Sequence, residues 1–178
     1  MDAVRAALRE TAAHHMVAFG LGPDTLHGPQ GDLRLAAIER MIAGRETLAD
    51  LVALGERIVV AEVADDMPTR PVPSRLGQSI RFTIADVVKG PAGPSTFQTG
   101  AAVSSMFAGA KKGEQFLFFL SPSMASLKAS ENAPLAGSGL AFQFVPYALA
   151  GERLSRLDST QTDPAGATLT TVRALANR

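Results

Sequence analysis

The chain has 178 residues, of which 46% are hydrophobic and 19% are charged, proportions typical of a soluble globular domain. Basic and acidic residues number 17 each, so the formal net charge is zero, which argues against strong unspecific affinity for nucleic acid. The sequence contains no cysteine, which excludes disulfides, thiol catalysis and thiolate metal sites. No apolar run reaches the roughly 18 residues of a membrane-spanning helix.

The first third of the chain predicts three helices. Residues 2–19 carry apolar side chains at helical spacing and predict an amphipathic helix. Asp32 is placed to cap a second helix that runs to about residue 43. Thr47 and Asp50 match a capping box with aspartate in place of glutamate, which predicts a short third helix. The buried face of the second helix is predicted to consist of Leu35, Ile38 and Ile42.

The clearest strand signal covers residues 78–90. Apolar and polar side chains alternate up to Ala85, and the alternation then slips by one residue at Asp86. Such a slip predicts a β-bulge at Ala85–Asp86, and the strand is expected to pair with residues 57–63. The inward-facing residues are predicted to be Ile80, Phe82 and Ile84.

Other short apolar runs complete a predicted α+β fold, mainly β with N-terminal helices. Residues 114–120 contain five consecutive apolar side chains, which predicts a central strand buried on both faces. Further strands are expected at 58–63, 95–99 and 140–145, with a hairpin at 147–157, a long loop at 121–139 and a helix at 168–177. The architecture predicted from them is a five-stranded OB-like barrel. The predicted divisions are a helical segment 1–46, the barrel 47–157, and a linker with a short helix 158–178.

Two short motifs carry a resemblance to a known fold. Val87-Val88-Lys89-Gly90 ends one strand, and Gly113-Glu114-Gln115-Phe116-Leu117-Phe118-Phe119-Leu120 follows some 25 residues later. With the helix and Val-rich strand over Leu48–Val63, residues about 47–145 resemble a bacterial OB-like module related to the netrin and tissue-inhibitor-of-metalloprotease (NTR-like) fold. The resemblance implies a five-stranded barrel with a binding or scaffolding role. The animal inhibitors depend on cysteines that this chain lacks, so their inhibitor function is not transferred.

The charges are unevenly distributed along the chain. Residues 1–66 carry six basic and eleven acidic residues, whereas residues 67–128 carry seven basic and two acidic ones. One interpretation is that the two segments attract each other in the folded domain; the other is that 67–128 forms a binding surface. The candidate binding residues are Arg70, Arg75, Arg81, Lys111 and Lys112. Lys89 adds a further positive charge to the same segment. Phe82, Phe97 and Phe107 are either base-stacking residues or core residues. The core is favoured, because the alternation places Phe82 and Phe97 with core residues and the net charge is zero.

No catalytic or metal-binding signature is recognisable. The histidines, His14, His15 and His27, lack a metal-ligand spacing, and no cofactor is predicted. Asp65 and Asp66 with Glu62 form either a solvated turn or a divalent cation site, with the turn favoured. Ser104 and Ser105 have no histidine in the strand region to activate them.

Three functions remain open from the sequence. The first is a non-enzymatic binding module that interacts with another protein. The second is an OB-fold binder of single-stranded nucleic acid that uses the basic 67–128 segment. The third is an enzyme of unknown class. The N-terminus as given has no apolar signal-peptide core, which predicts a cytoplasmic location by default and an extracytoplasmic one if a leader has been removed.

Overall fold

The structure is a computed structural model that describes residues 28–42, 45–67, 80–99, 106–121, 141–142, 146–157 and 167–178. The helices in this part of the chain are α1 Gly28–Ile42, α2 Leu48–Leu54 and α3 Leu169–Ala176. The strands are β1 Arg57–Val63, β2 Ile80–Lys89, β3 Thr96–Thr99, β4 Gln115–Ser121, β5 Ala141–Phe142, β6 Tyr147–Ala150 and β7 Arg153–Arg156. The predicted helix over 2–19, the loop over 122–139 and the linker over 158–166 lie outside the described residues.

Helix α1 confirms the predicted second helix but begins four residues earlier, at Gly28. Asp32 therefore lies inside the first turns and is not the cap. Pro29 explains the earlier start, because its fixed φ angle is already suited to the first turn of a helix. Leu35 and Ile38 are buried as predicted, whereas the side chain of Ile42 lies outside the described part.

Helix α2 begins at the predicted capping box. The Asp50 backbone N–H donates to Thr47 Oγ1 at 3.3 Å, and Asp50 Oδ2 accepts from the Thr47 backbone N–H at 2.8 Å. The Asp50 carboxylate also accepts hydrogen bonds from the Arg40 guanidinium at 2.9 and 2.5 Å. One buried carboxylate thus caps α2 and connects it to α1.

We expect Asp50→Asn to lower the free energy of unfolding by about 2 kcal/mol at pH 7, because it leaves Arg40 without its carboxylate partner. Burial alone would raise the pKa of Asp50, but the hydrogen bonds from Arg40 and Thr47 outweigh it, and the pKa lies below its ordinary value of 3.8. The stabilisation is therefore present above pH 3.8 and is lost as the pH falls through the lower, folded-state pKa. Urea unfolding at several pH values measures both the loss of stability at pH 7 and its dependence on pH.

The difference in the free energy of unfolding between wild type and Asp50→Asn should accordingly become smaller at acidic pH. A difference that stays constant from pH 7 downward would contradict the role assigned to the Asp50 charge. Asp65→Asn is a suitable control, because Asp65 makes an ion pair with Arg81 in which both side chains are exposed.

The strands form one antiparallel sheet in the order β3-β2-β1-β4-β6-β7, and the two-residue β5 pairs with the end of β4. The prediction of a closed five-stranded barrel is wrong. Six strands lie side by side, and no pairing joins the edge strands β3 and β7 within the described residues. The reason lies in β6 and β7, which form the predicted hairpin but extend the sheet beyond β4 instead of closing it.

The two faces of the sheet carry separate cores. The helix-side core packs α1, α2 and α3 against strand residues that include Ile58, Val60, Leu117 and Phe119. The aromatic core, on the other face, contains residues that include Val59, Phe82, Phe97, Phe107, Phe116 and Phe118. Successive residues of β4 alternate between the two cores, which confirms the predicted central strand buried on both faces.

The predicted bulge in β2 is confirmed at Ala85. Val60 pairs with Asp86 and Ala61 with Ile84, so Ala85 has no opposite residue on β1. Because opposite residues lie on the same face of a sheet, the bulge moves Asp86 to the helix side, where Val60 packs. Residues before the bulge serve the aromatic core, and Val88 after it packs against the helix-side core.

In the described part of the chain, no helix combines the length and apolar character needed to cross a bilayer.

Candidate anion-binding site at Arg57

Three of the predicted basic residues, Arg81, Lys111 and Lys112, lie in the described part of the chain. Arg81 is exposed on β2 and bonds to Asp65 at 3.1 Å. Lys111 and Lys112 are exposed in the turn before β4, where the Lys112 backbone N–H donates to Asp66 Oδ1 at 2.8 Å. The Arg81–Asp65 ion pair joins the acidic and basic segments, as expected if the segments attract each other. Arg70 and Arg75 lie outside the described residues.

The candidate stacking residues Phe82, Phe97 and Phe107 are all buried. The rings of Phe82 and Phe97 stack with centroids 5.3 Å apart, and Phe107 meets Phe82 edge-on at 5.1 Å. Their positions confirm the prediction that these residues belong to the core, which the alternation had favoured for Phe82 and Phe97.

Lys89 has a structural role that its charge alone does not reveal. Its ammonium group donates to the carbonyl oxygens of Val52 at 2.6 Å and Gly55 at 2.8 Å, at the C-terminal end of α2. These carbonyls have no partner within the helix, and a cation at this end is favoured by the helix dipole. Burial lowers the pKa of Lys89, and the nearby charge of Arg34 adds to the effect, whereas Glu56 opposes it. Lys89 therefore attaches the end of β2 to α2.

Arg57, the first residue of β1, is 3% exposed yet lacks an acidic partner among the described residues. Its Nη1 and Nη2 both donate to the Pro94 carbonyl oxygen at the long distance of 3.4 Å. Its Nε is buried and has no hydrogen-bond partner in this part of the structure. A guanidinium has five N–H donors, so most of the donor capacity of Arg57 is unused.

A comparison with Arg156 shows how unusual this arrangement is. Arg156 is also largely buried, but it pairs with the buried carboxylate of Glu46 at 3.2 Å. Taking a charge out of water costs several kcal/mol unless a partner compensates for it. Burial accordingly lowers the pKa of Arg57, although an arginine in a protein stays protonated. Arg57 is thus a buried positive charge whose partner is not supplied by the described residues.

An open cavity of about 330 Å³ lies beside the Arg57 side chain. Its walls come from the bulged part of β2 and from the turn before β3, and they are formed by Ile84, Ala85, Asp86, Val87, Ala92, Gly93, Pro94 and Ser95. β3 pairs with β2 only as far as Thr83, so the second half of β2 has no neighbouring strand on this side within the described residues. The bulge and the short β3 together leave room next to the guanidinium.

Asp86 lines this cavity but bonds elsewhere. Its Oδ2 accepts from Arg173 Nη2 of α3 at 2.7 Å, on the helix side of the sheet. The bulge at Ala85 therefore turns the one acidic side chain of the cavity lining away from Arg57. The arrangement offers a positive charge and unused donors to a negatively charged group from outside the described part of the chain.

A second, larger cavity of about 620 Å³ lies at the other end of the sheet. The 106–114 segment and the ends of β4 and β6 line it mainly with apolar groups, among them Met106, Phe107, Phe116 and Leu149. Glu114 is the only ionisable residue in its described lining. Its described lining is therefore mostly apolar, with Glu114 and Gln115 as the polar side chains.

The acidic turn shows no cation site in the described residues. Glu62 accepts a hydrogen bond from the Gln115 side chain at 2.8 Å, and Asp65 and Asp66 bond to β2 and to the Lys112 backbone. No group of three or more potential metal ligands of the His, Cys, Asp or Glu type assembles in the described part of the chain. His14, His15 and His27 lie outside it.

Comparison with known proteins gives no further information. No protein-family model matches the chain, and neither a curated protein nor a solved structure is significantly similar to it.

Proposed function

We propose that the chain is a non-enzymatic binding module that recognises a partner protein through a carboxylate, which docks on Arg57. The observation that supports this proposal is the buried guanidinium with an unpaired Nε beside an open cavity. Guanidinium groups bind carboxylates through two parallel hydrogen bonds, and such charge-assisted bonds are about twice as strong as neutral ones. A partner carboxylate would supply the charge and the acceptors that the described residues do not.

The fold proposed for this module remains related in outline to the NTR-like type, which the Val-Val-Lys-Gly and Gly-Glu-Gln-Phe motifs suggest. Lys89 and Gly90 give the first motif a physical meaning, because Lys89 caps α2 and Gly90 packs against the backbone of Glu56 and Arg57. Both contacts fix the start of β1, where Arg57 lies. In this proposal, the motif serves to hold the binding residue in place.

The alternative of single-stranded nucleic-acid binding finds less support among the described residues. Arg81 is paired with Asp65, so part of the positive charge of this segment is neutralised within the chain. The three phenylalanines that would stack on bases are buried. A salt-dependent mobility shift with single-stranded oligonucleotides would favour this alternative over the carboxylate site.

An affinity selection tests the proposed function. The full chain is immobilised and exposed to a pool of random synthetic decapeptides, and retained peptides are identified by mass spectrometry and resynthesised with a fluorescent label. We expect Arg57→Met to weaken the binding of the retained peptides by about tenfold or more, because the substitution removes charge-assisted hydrogen bonds of about 1.5–3 kcal/mol.

Lys111→Met is the matched control, because it removes an exposed positive charge from a different surface and should change affinity little. Equal affinity of the peptides for wild type and Arg57→Met, or retention of no peptide by the wild type, would refute the proposal.

A further inference from the structure

We propose that the larger cavity, of about 620 Å³, binds a small organic cation that combines an apolar body with one protonated amine. This cavity shares no lining residue with the Arg57 cavity, so the inference goes beyond the proposed function and does not depend on it. Three features carry the inference: the position of the cavity at the aromatic core, the small residues that make room in it, and its charge.

The cavity is an open end of the aromatic core. Met106, Ala148 and Leu157 pack against this core and also line the cavity, and each of the three is only partly buried. No residue of α1, α2 or α3 belongs to the aromatic core, so the described helices do not cover this end of it. A ligand with an apolar body would remove these partly exposed side chains from water, which is the main driving force for binding of this kind.

Small residues explain why there is room for a ligand. Ala148 of β6 lies opposite Phe116 of β4, and residues that lie opposite each other share one face of a sheet. The short side chain of Ala148 therefore leaves space beside the Phe116 ring. Six of the 13 described lining residues are of this small kind, namely Ala108, Gly109, Ala110, Gly113, Ala148 and Ala150. The resulting volume lies within the range of about 300–1,000 Å³ that is usual for small-molecule sites.

The larger side chains of the walls suit an apolar body of varied shape. Phe107 and Phe116 supply aromatic rings, and Leu149 and Leu157 supply aliphatic contact. Met106 is partly buried, and a methionine side chain adapts readily to the shape of its neighbour. These contacts bind the body of a ligand but do not distinguish one charged group from another.

The charge of the lining favours a cation. Glu114 is exposed and is the only ionisable residue in the described lining. Gln115 is uncharged, and its Nε2 donates to the carboxylate of Glu62 at 2.8 Å, which brings a second negative charge close to the cavity. Lys111 and Lys112 lie in the preceding turn and are not part of the described lining. An ammonium group is therefore matched by Glu114, whereas a ligand carboxylate would be repelled by it.

NMR titration of the full chain, labelled with ¹³C at the methionine methyl groups, tests the inference. The three probes share one apolar body and differ in charge: 4-phenylbutylamine, 4-phenylbutanol and 4-phenylbutanoate. The Met106 methyl signal is assigned by its absence in Met106→Leu. We expect this signal to shift saturably with the amine, which should bind about threefold more tightly than the alcohol, and the carboxylate should bind most weakly.

Glu114→Gln tests the origin of the preference for a cation. We expect it to reduce the affinity for the amine about threefold, to that of the alcohol, and to leave the alcohol unaffected. Glu39→Gln is the matched control, because it removes an exposed carboxylate from α1, on the other face of the sheet. Equal binding of the amine and the alcohol by the wild type, stronger binding of the carboxylate, or a Met106 signal that responds to no probe would overturn the inference.

Two further substitutions locate the ligand. Ala148→Leu fills the space beside Phe116 and should weaken all three probes about tenfold. Because a larger side chain within the sheet can disturb folding, Ala150→Leu is the second variant. Ala150 is exposed, lines the cavity and lies two residues further along β6, on the same face as Ala148. Unchanged affinity for the amine in both variants would overturn the inference, as would a loss in Arg57→Met equal to that in Glu114→Gln.

Discussion

Gly90→Ala is expected to lower the free energy of unfolding by about 3 kcal/mol or more. Gly90 has a φ of +93°, a conformation that residues with a Cβ rarely adopt. A Cβ at this position would also lie 2.4 Å from the Glu56 carbonyl oxygen and 3.0 Å from the Arg57 Cα. Both neighbours are main-chain atoms, so the clash can be relieved only by moving β1 away from β2.

Gly113→Ala is the matched control for this prediction. Gly113 has a similar φ of +85°, but a Cβ there would meet nothing within 4 Å. It should therefore show the cost of the backbone conformation alone, about 1–2 kcal/mol. Chemical denaturation of both variants gives the comparison. Equal losses of stability would contradict the role assigned to the close approach of Gly90 to β1.

The helix cap and the bulge were predictable because their signals are local. The capping box depends on two residues three positions apart, Thr47 and Asp50, and the bulge follows from a one-residue slip in the alternation at Asp86. The burial of β4 on both faces follows in the same way from its unbroken apolar run. Each of these features is determined by neighbouring residues.

The closed barrel was predicted incorrectly because closure is not a local property. It requires the edge strands to pair with each other, whereas periodicity describes only the faces of each strand. β2 does bend and change faces, as a barrel strand would, but β6 and β7 add to the sheet beyond β4. The strand features that suggested a barrel are therefore compatible with an open sheet.

The candidate site was missed for a similar reason. A search of the sequence for binding residues selects clustered charges, which led to Arg81, Lys111 and Lys112, whereas Arg57 precedes an apolar strand. Its importance arises from burial and from the lack of a described acidic partner, and both depend on the tertiary structure. The only hint in the sequence is a lone arginine next to the run Ile-Val-Val-Ala, followed much later by a Gly-Pro turn.

Arg57→Met is expected to raise the free energy of unfolding by about 1–3 kcal/mol. The substitution removes a buried charge that has no described acidic partner, and methionine is flexible enough to occupy the space of the aliphatic stem. The substitution loses only two long hydrogen bonds to the Pro94 carbonyl. Pro94 is exposed, so its carbonyl can bond to water instead. Urea denaturation of the full chain measures the change.

Arg156→Met should have the opposite effect and lower stability by about 3 kcal/mol, because it leaves the buried Glu46 carboxylate without its partner. Arg57→Lys keeps the positive charge and should not reproduce the gain in stability. A loss of stability in Arg57→Met comparable with that in Arg156→Met would mean that the folded chain itself compensates for the Arg57 charge. A gain in stability together with a loss of binding would instead show that the chain retains an unfavourable buried charge for recognition, the exchange of stability for function expected at a binding site.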